Sequence, residues 1–571
     1  MRLCEIYDNL VSKGFFGKPE ERGVLRETIR EIDDKLSSKK ATIIVRLPPG
    51  SGKTAIAYSA SFKALLEPES WYRVIHVLPL RSIIEDTYGR LKDGLGRLGI
   101  TFEKVFSEQM FLSENTPYLQ SKYAITTFDT FTLELMKLPP TIIRKVSTGL
   151  SMGHFEIGRA SIFSSLTVFD ETHLVLEGNS NGRATLATIF RFLRKIGVPL
   201  IIIMTATLPM KIEKYIIEEL GGNVYTIKFS EVLRGNIKDE YLERELEKKI
   251  TMRKPVKLLS FSKEVSKIVS NMEGRRAVIV NTISKAIEIY RNLDVEEKVL
   301  LHSQFTIKDR SEKVELLRKA PVAVTTQVIE AGVNVSFHFM ISELAPITSI
   351  IQRVGRLARF EEREGEFQIV YDEESLRGNG IYDENYVSQT LKILILVYGE
   401  KVLWHLPSIP GKLGYDKIVD KVWETMSVES LVGAYSVALN QILSSPAFSS
   451  NDAFEFIKSI VMLNRGDIIR NDIFATVYIS DEEVSSEKDV LEKAEERLIP
   501  TGAIRLFRQI RRKNAGKEVK VVVRRGNEVF EEDFTKYGNI VKWCLNWLSS
   551  RIITVRVPTK YYSREYGLLL Y

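Results

Sequence analysis

The segment LPPGSGKT, Leu47 to Thr54, constrains this chain more than any other. It follows the β-branched run ATIIV and precedes the apolar helical stretch AIAYSASFKALL. A phosphate-binding loop needs that strand–loop–helix setting. Pro48 and Pro49 stiffen the entry. Gly50, Ser51 and Gly52 let successive backbone amides turn toward phosphate oxygens, and the helix beginning near Lys53 adds the positive end of its dipole. Lys53 can reach the outer phosphates, and the Thr54 hydroxyl can ligate magnesium. ATP and Mg2+ are therefore the expected cofactors. The strict pattern has Gly where Leu47 stands, and the competing reading is a Gly-rich turn that holds no nucleotide.

The loop sits in a rhythm of short β-branched runs and longer amphipathic segments. Strands are expected in ATIIVRL from Ala41, RVIHVLP from Arg73, YAITTF from Tyr123, SLTVFDE from Ser165 and PLIIIMTA from Pro199, with helices after Lys53, Leu80 and Ala184. The rhythm returns in RAVIVN from Arg276, VLLHS from Val299, VAVTT from Val322, FHFMIS from Phe337 and EFQIVY from Glu366. Continuous apolar runs alternating with helices indicate parallel sheets covered on both faces. Val232 to Lys267, rich in both charges, reads as a connector. Helical patterns dominate from Asn385 to about Arg470, and a mixed, basic, strand-containing tail follows. At 571 residues the chain exceeds one ordinary core.

VFDETH places Asp170, Glu171 and His173 at the carboxyl end of an apolar strand, where open parallel sheets bind ligands. Hydrolysis of a triphosphate needs one carboxylate for magnesium, for which Asp170 is suited, and a second to orient water, for which Glu171 is suited. In the next strand's ending, IIIMTATLP, the hydroxyls of Thr205 and Thr207 can bond the acidic box and transmit its state to a bound strand.

In the second half, QRVGRLAR puts Gln352, Arg356 and Arg359 at i, i+4 and i+7, which predicts one helical face. Guanidinium forks there match the charge spread of a phosphoryl transition state, so Arg356 and Arg359 are assigned as arginine fingers. A solvated basic helix is the alternative. Upstream, in TTQVIEAGVNVS, Gly332 fits close approach to nucleotide and Asn334 could bond the ribose.

In order and spacing, Lys53, TTFD (Thr126 to Asp129), DETH, TAT, the GVN segment and QRVGRLAR resemble superfamily two helicases. That resemblance implies an α/β fold of two tandem RecA-like parallel-sheet domains, 1–228 and 229–375, followed by a mixed, partly helical C-terminal accessory domain, 376–571. HSQFTIKDR, TTQVIEAGVNVSF, SELAPITSIIQRVGRLAR and VPTKYYSREYGLLLY further resemble the CRISPR-associated helicases of type I interference systems. The resemblance implies an ATP- and magnesium-dependent motor tracking 3′ to 5′ on single-stranded DNA, with a guide-RNA surveillance complex as partner. It also implies backbone contacts from segments such as PLRS, TTFD and the region after His302. The candidate strand contacts are Arg81, Thr127, Thr207, Ser303 and Thr325.

Two departures from that family stand out. Only 40 residues precede the first strand, and no His-Asp dipeptide occurs among the six histidines. The expectation is a helicase-only form with a separate His-Asp (HD-type) nuclease subunit. Asn334 stands where the family has Asp, and Pro19 to Leu25 (PEERGVL) shows no adenine-reading glutamine. Another superfamily two DNA-repair or RNA helicase is the first rival. A non-hydrolysing scaffold is the second, and the presence of Lys53, Glu171 and Arg359 speaks against it.

Charge decides little: the net +7 comes from 81 basic and 74 acidic residues. The tail segment RLFRQIRRK, with Arg505, Arg508 and Arg512 on one face, is either a DNA or partner surface or a solvated face. Trp543 and Trp547, at i and i+4, are expected in a core. Cys4 and Cys544 are expected as free thiols, and a cytoplasmic location without a membrane span is expected.

Overall fold

The computed structural model describes residues 1–17, 22–36, 41–79, 81–100, 106–109, 117–140, 142–147, 155–176, 180–205, 207–222, 224–233, 237–330, 333–360, 362–426, 434–444, 449–463, 473–526 and 528–570. Two compact units emerge. The first joins Met1–Ile142, Ser151–Ile250 and Gly399–Ala453; the second joins Ile143–Leu150, Thr251–Tyr398 and Phe454–Tyr571.

The first unit is built on seven strands: β1 (Thr42–Leu47), β2 (Arg73–Leu78), β3 (Phe106–Gln109), β4 (Tyr123–Thr127), β5 (Ser165–Phe169), β6 (Leu200–Thr205) and β7 (Val224–Lys228). They pair in the order β3-β4-β2-β5-β6-β1-β7, every pair parallel. Each residue of β1, β4 and β5 is buried, as continuous apolar runs require when helices cover both faces. The five expected strands form at their expected places. The short β3 and the half-buried edge strand β7 add to them.

The second sheet, all in the second unit but for the first two residues of β8, holds β8 (Lys249–Lys257), β9 (Arg276–Ile279), β10 (Lys298–Leu301), β11 (Val322–Thr325), β12 (Phe339–Glu343) and β13 (Glu364–Tyr371), in the order β10-β11-β9-β12-β13-β8. The pairs among β9 to β13 are parallel. Strand β8 corrects the expectation of a connector across Val232 to Lys267. Its burial alternates, with Ile250 and Met252 inward and Lys249 and Lys257 outward. An edge strand of period two carries its charges on the solvent face, and that is what hid it.

The region expected as a single accessory domain divides between the units. Gly399–Ala453 goes with the first. There the helix Tyr415–Glu424 packs on Met210–Leu220, with the Met210 amide donating to Asp420 Oδ1 at 2.8 Å, and Ala434–Ser444 packs on Ser180–Ile196. Phe454–Tyr571 goes with the second unit and contains a mixed five-stranded sheet ordered Leu498–Gly502, Phe474–Ile479, Ile552–Val557, Lys520–Arg525, Glu528–Asp533.

The basic helix Ala503–Arg512 turns Ile504, Leu506, Phe507 and Ile510 inward. It packs on Ile540–Leu548, where Trp543 and Trp547 meet edge to face with centroids 5.9 Å apart. Trp543 Nε1 donates to the Ala503 carbonyl at 2.8 Å, which confirms the core reading of that pair. Cys4 and Cys544 are buried and unpaired with each other. No helix among the described residues is long and apolar enough to cross a membrane.

Candidate nucleotide site

Strand order brings the site together. β1 and β5 flank β6, so the loop after β1 and the acidic box after β5 meet at the carboxyl edge of the sheet. The helix Thr54–Leu66 starts directly after Lys53. Gly50 and Gly52 have φ of +82° and +85°, a conformation that glycine adopts without strain. A Cβ on Gly52 would also lie 2.9 Å from Arg22 Nη1.

Two side chains that the sequence did not point to brace the loop's backbone. Arg22 Nη1 donates to the Gly50 carbonyl at 2.9 Å, and the Tyr241 hydroxyl donates to the Pro49 carbonyl at 2.8 Å. The Arg22 guanidinium lies over the Tyr241 ring, 5.0 Å from its centroid.

Lys53 Nζ lies 3.5 Å from Glu171 Oε1. Lys53 Nζ and Ser51 Oγ are buried and have no hydrogen-bond partner among the described residues. Buried polar groups are ordinarily paired, so a donor ammonium and a hydroxyl facing one loop fit a phosphate. Asp170 and Thr54 offer the hard oxygen donors that magnesium prefers.

Asp170 accepts from the Glu171 amide at 2.8 Å and lies 3.4 Å from His76 Nε2, whose Nδ1 is 2.8 Å from the Tyr123 hydroxyl. Burial disfavours the Asp170 anion, but His76, Lys53 and the Glu171 amide together hold its pKa below the usual carboxylate value. Glu171 moves the other way. Burial raises its pKa and Asp170 adds to the rise, with Lys53 opposing. Its backbone sits at φ +49°, which a side-chain-bearing residue rarely adopts. His173 is fully buried, 3.5 Å from Glu171 Oε2, and burial with the nearby Lys53 pushes its pKa down to about 3. It is a neutral imidazole at physiological pH. His76 escaped the sequence reading; its signal was a single polar residue inside the buried run RVIHVL.

The Thr172 hydroxyl donates to the Ile203 carbonyl at 3.2 Å, which ties the box to β6. Thr207 is buried; the Thr205 side chain and Ala206 lie outside the described residues.

In the second unit QRVGRLAR departs from its expected form. The helix Ile347–Val354 ends at Gly355, and the chain then turns through Ala358 at φ +44° while Leu357 bridges to Phe337. Gln352 lies on the helix, but Arg356 and Arg359 lie beyond it, so the three share no helical face. Past Val354 the chain makes a turn at Gly355 and Arg356, and a strand-like pairing of Leu357 with Phe337 replaces the helix. Arg356 is buried, donating to the Ile329 and Glu330 carbonyls at 3.1 and 2.7 Å. Arg359 is half-buried, its amide donating to Ser336 Oγ at 2.9 Å. Asn334 is exposed, and Gly332 lies outside the described residues.

The candidate strand contacts are scattered through both units. Thr127 is a buried N-cap, accepting from the Thr130 amide at 3.1 Å. Thr325 is buried and donates to the Thr326 carbonyl at 3.3 Å. Ser303 is half-buried, with Arg505 Nη1 3.4 Å from its hydroxyl. The Arg81 side chain lies outside the described residues.

HSQFTIKDR and the chain's final segment, both singled out above, meet in one place. The Tyr562 hydroxyl donates to Asp309 Oδ2 at 2.5 Å and Arg564 Nε to Asp309 Oδ1 at 2.9 Å. His302 Nε2 lies 3.1 Å from the Tyr566 carbonyl, and the Leu568 amide donates to the Gln304 carbonyl at 2.9 Å.

Comparison with known proteins agrees with this geometry. A family model described as DEAD/DEAH box helicase matches residues 26–215, and one described as CRISPR-associated nuclease/helicase Cas3, C-terminal, matches 272–362. The chain is 26% identical over 458 residues to a CRISPR-associated nuclease/helicase Cas3 of Methanothermobacter thermautotrophicus, covering 69% of this chain and 53% of that protein. It is 26% identical over 409 residues to the CRISPR-associated helicase Cas3 of Thermoproteus tenax, covering 68% of this chain and 65% of that protein. It thus spans between half and two thirds of these relatives. The crystal structure of T. fusca Cas3 with ADP matches with a TM-score of 0.62 at 16% identity, over 89% of this chain and 66% of that one. A chain of a CRISPR RNA-guided surveillance complex, pre-nicking, matches with a TM-score of 0.52 at 15% identity, over 86% of this chain and 64% of that one. The helicase match thus falls on the loop-bearing sheet and the Cas3 match on the second sheet, and over these segments the chain is similar to CRISPR-associated Cas3 helicases.

Proposed function

We propose that this chain is an ATP-driven motor that tracks 3′ to 5′ on single-stranded DNA and unwinds target DNA in type I CRISPR interference. The observation that carries the reading is the buried Lys53 ammonium of the loop, 3.5 Å from Glu171 Oε1 of the acidic box, together with the buried Ser51 hydroxyl, which has no hydrogen-bond partner among the described residues. Lys53 holds the outer phosphates. Thr54 and Asp170 would hold magnesium, which would offset phosphate charge. Glu171 orients the attacking water, and its position 3.5 Å from Lys53 keeps the carboxylate at the loop. In the second unit Gln352, Arg356 and Arg359, with Gly332 and Asn334, are the proposed catalytic and nucleotide-binding residues. Backbone contacts from Arg81, Thr127, Thr207, Ser303 and Thr325 make the grip on DNA independent of sequence.

A guide-RNA surveillance complex is the proposed recruiting partner, and an HD-type nuclease subunit performs cleavage. The matching chain of a surveillance complex and the Cas3 relatives support the first of these. The motor works in the cytoplasm. The test is unwinding of tailed DNA duplexes with and without ATP, with the tail at either end. ATP-dependent unwinding from a 3′ tail supports the reading. Stimulation by RNA and not by single-stranded DNA overturns it in favour of an RNA helicase.

A further inference from the structure

Pro48 to Ser51, at the entry of the phosphate loop, form a tight turn closed by the Ser51 amide, which donates to the Pro48 carbonyl at 3.3 Å. The two central residues are Pro49 and Gly50. The proline ring holds its φ at about −65°, and Gly50 has φ +82°. That combination is a type II turn. A type I turn takes the same proline and differs by reversal of the peptide plane between the two central residues. Here that plane carries the Pro49 carbonyl and the Gly50 amide, which point opposite ways because the peptide is trans. Reversal would exchange a donor for an acceptor at the entry of a loop that must present amides to an anion.

The Tyr241 hydroxyl donates to the Pro49 carbonyl at 2.8 Å, so it bonds the one group that reversal would carry away. Tyr241 is itself held on every side. It is 7% exposed, with the Arg22 and Arg244 guanidiniums 5.0 and 5.6 Å from its ring centroid. Its helix, Glu240–Glu247, is pinned at both ends. At the start, Asp239 accepts from the Leu242 amide at 2.7 Å and from the Val24 amide at 2.8 Å, and its backbone bridges to Arg22. At the other end, His405 Nε2 donates to the Glu245 carbonyl at 2.7 Å. All of these residues belong to the first unit.

We propose that Tyr241 is a positioning residue for the nucleotide: its hydroxyl selects the type II turn at Pro49 and Gly50 and so keeps the phosphate loop in the form that binds triphosphate, with His405 holding the helix that presents it. The proposal rests on the motor reading above. A protein whose binding form is only partly populated binds more weakly by that fraction, while the bound complex is unchanged. Loss of the hydroxyl therefore acts on KM and spares kcat.

The test is steady-state hydrolysis of ATP, with magnesium and single-stranded DNA, by the parent, Y241F, G50A and the double variant, each with a melting curve. Phe keeps the ring between the two guanidiniums. In Y241F the expected result is KM raised about three- to tenfold, the worth of one neutral hydrogen bond, with kcat within about twofold. G50A disfavours the positive φ and raises KM by itself. Adding Y241F to it raises KM less than about twofold further, because the carbonyl no longer meets the hydroxyl. H405A frees the Glu245 carbonyl without touching the loop and raises KM in the same direction; it carries the test should Y241F not fold. The proposal is overturned by the parent's KM in folded Y241F or folded H405A, by a fall in kcat at constant KM, or by a Y241F effect as large in G50A as in the parent. Each of those leaves the motor reading intact while the parent hydrolyses ATP. A parent that hydrolyses none overturns both.

Discussion

Arg353 and Glu330 form an ion pair sealed from solvent, with Nε and Oε1 2.8 Å apart and side-chain exposures of 0% and 9%. The same guanidinium donates to Ser342 Oγ and Asn281 Oδ1 at 2.9 Å each and to the Glu343 carbonyl at 3.0 Å. Arg353 thus fastens the helix Ile347–Val354 to the ends of β9 and β12. It also fixes Glu330, whose carbonyl receives Arg356. Arg353→Met leaves a buried carboxylate without its cation, a loss of about 3–5 kcal/mol. Chemical denaturation should show that loss.

Tyr562 and Asp309 link the end of the chain to the segment after β10. Tyr562→Phe keeps the ring but removes the charge-assisted hydrogen bond to Asp309 and the one its oxygen accepts from the Thr306 amide at 3.1 Å, a loss of about 1.5–3 kcal/mol. Hydrogen exchange should locate the change: faster exchange at Gln304 to Asp309, with the first unit unaffected.

Glu134 is fully buried, and burial pushes its pKa up to about 8, against a hydrogen bond from Gln109 Nε2 at 2.8 Å. Between its ordinary value of 4.5 and about 8 the folded chain holds a proton that the unfolded chain releases. Its contribution is therefore complete below 4.5 and is lost as pH rises through about 8. Glu134→Gln should remove this slope and stabilise the protein at pH 8 by on the order of 4 kcal/mol. Melting curves across pH 5 to 8 check it; a mutant with the parent's slope contradicts it.

Glu171→Gln keeps the same backbone demand at φ +49° and so should melt like the parent. Hydrolysis should fall by about 10²-fold or more, with nucleotide affinity retained. Because burial raises the Glu171 pKa, the acid limb of the parent's hydrolysis profile should lie above the ordinary glutamate value of 4.5.

Much of this was legible in the letters. The buried strands β1, β2, β4, β5 and β6 and the loop between Leu47 and Thr54 announce themselves, because a two-sided parallel sheet needs unbroken apolar runs and a phosphate loop needs glycines at fixed places. Strand β8 hid behind charges on its solvent face. Arg353 was passed over for Arg356 because helical periodicity was extended past Gly355, where the helix stops. Arg22, Tyr241 and His76 approach the loop and the acidic box from distant parts of the sequence. Such contacts arise only from the tertiary fold, and a single sequence carries no periodic mark of them. The return of Gly399–Ala453 to the first unit is of the same kind: its helix Tyr415–Glu424 looks like any amphipathic helix, and only its packing partner shows where it belongs.

The central claim is that the loop bearing Lys53 grips a triphosphate beside Glu171. The most direct measurement is DNA-stimulated ATP hydrolysis by Lys53→Ala beside the parent protein, with a melting curve to confirm folding. A folded mutant without measurable hydrolysis is the predicted result; a folded mutant turning over ATP at the parent's rate contradicts the account.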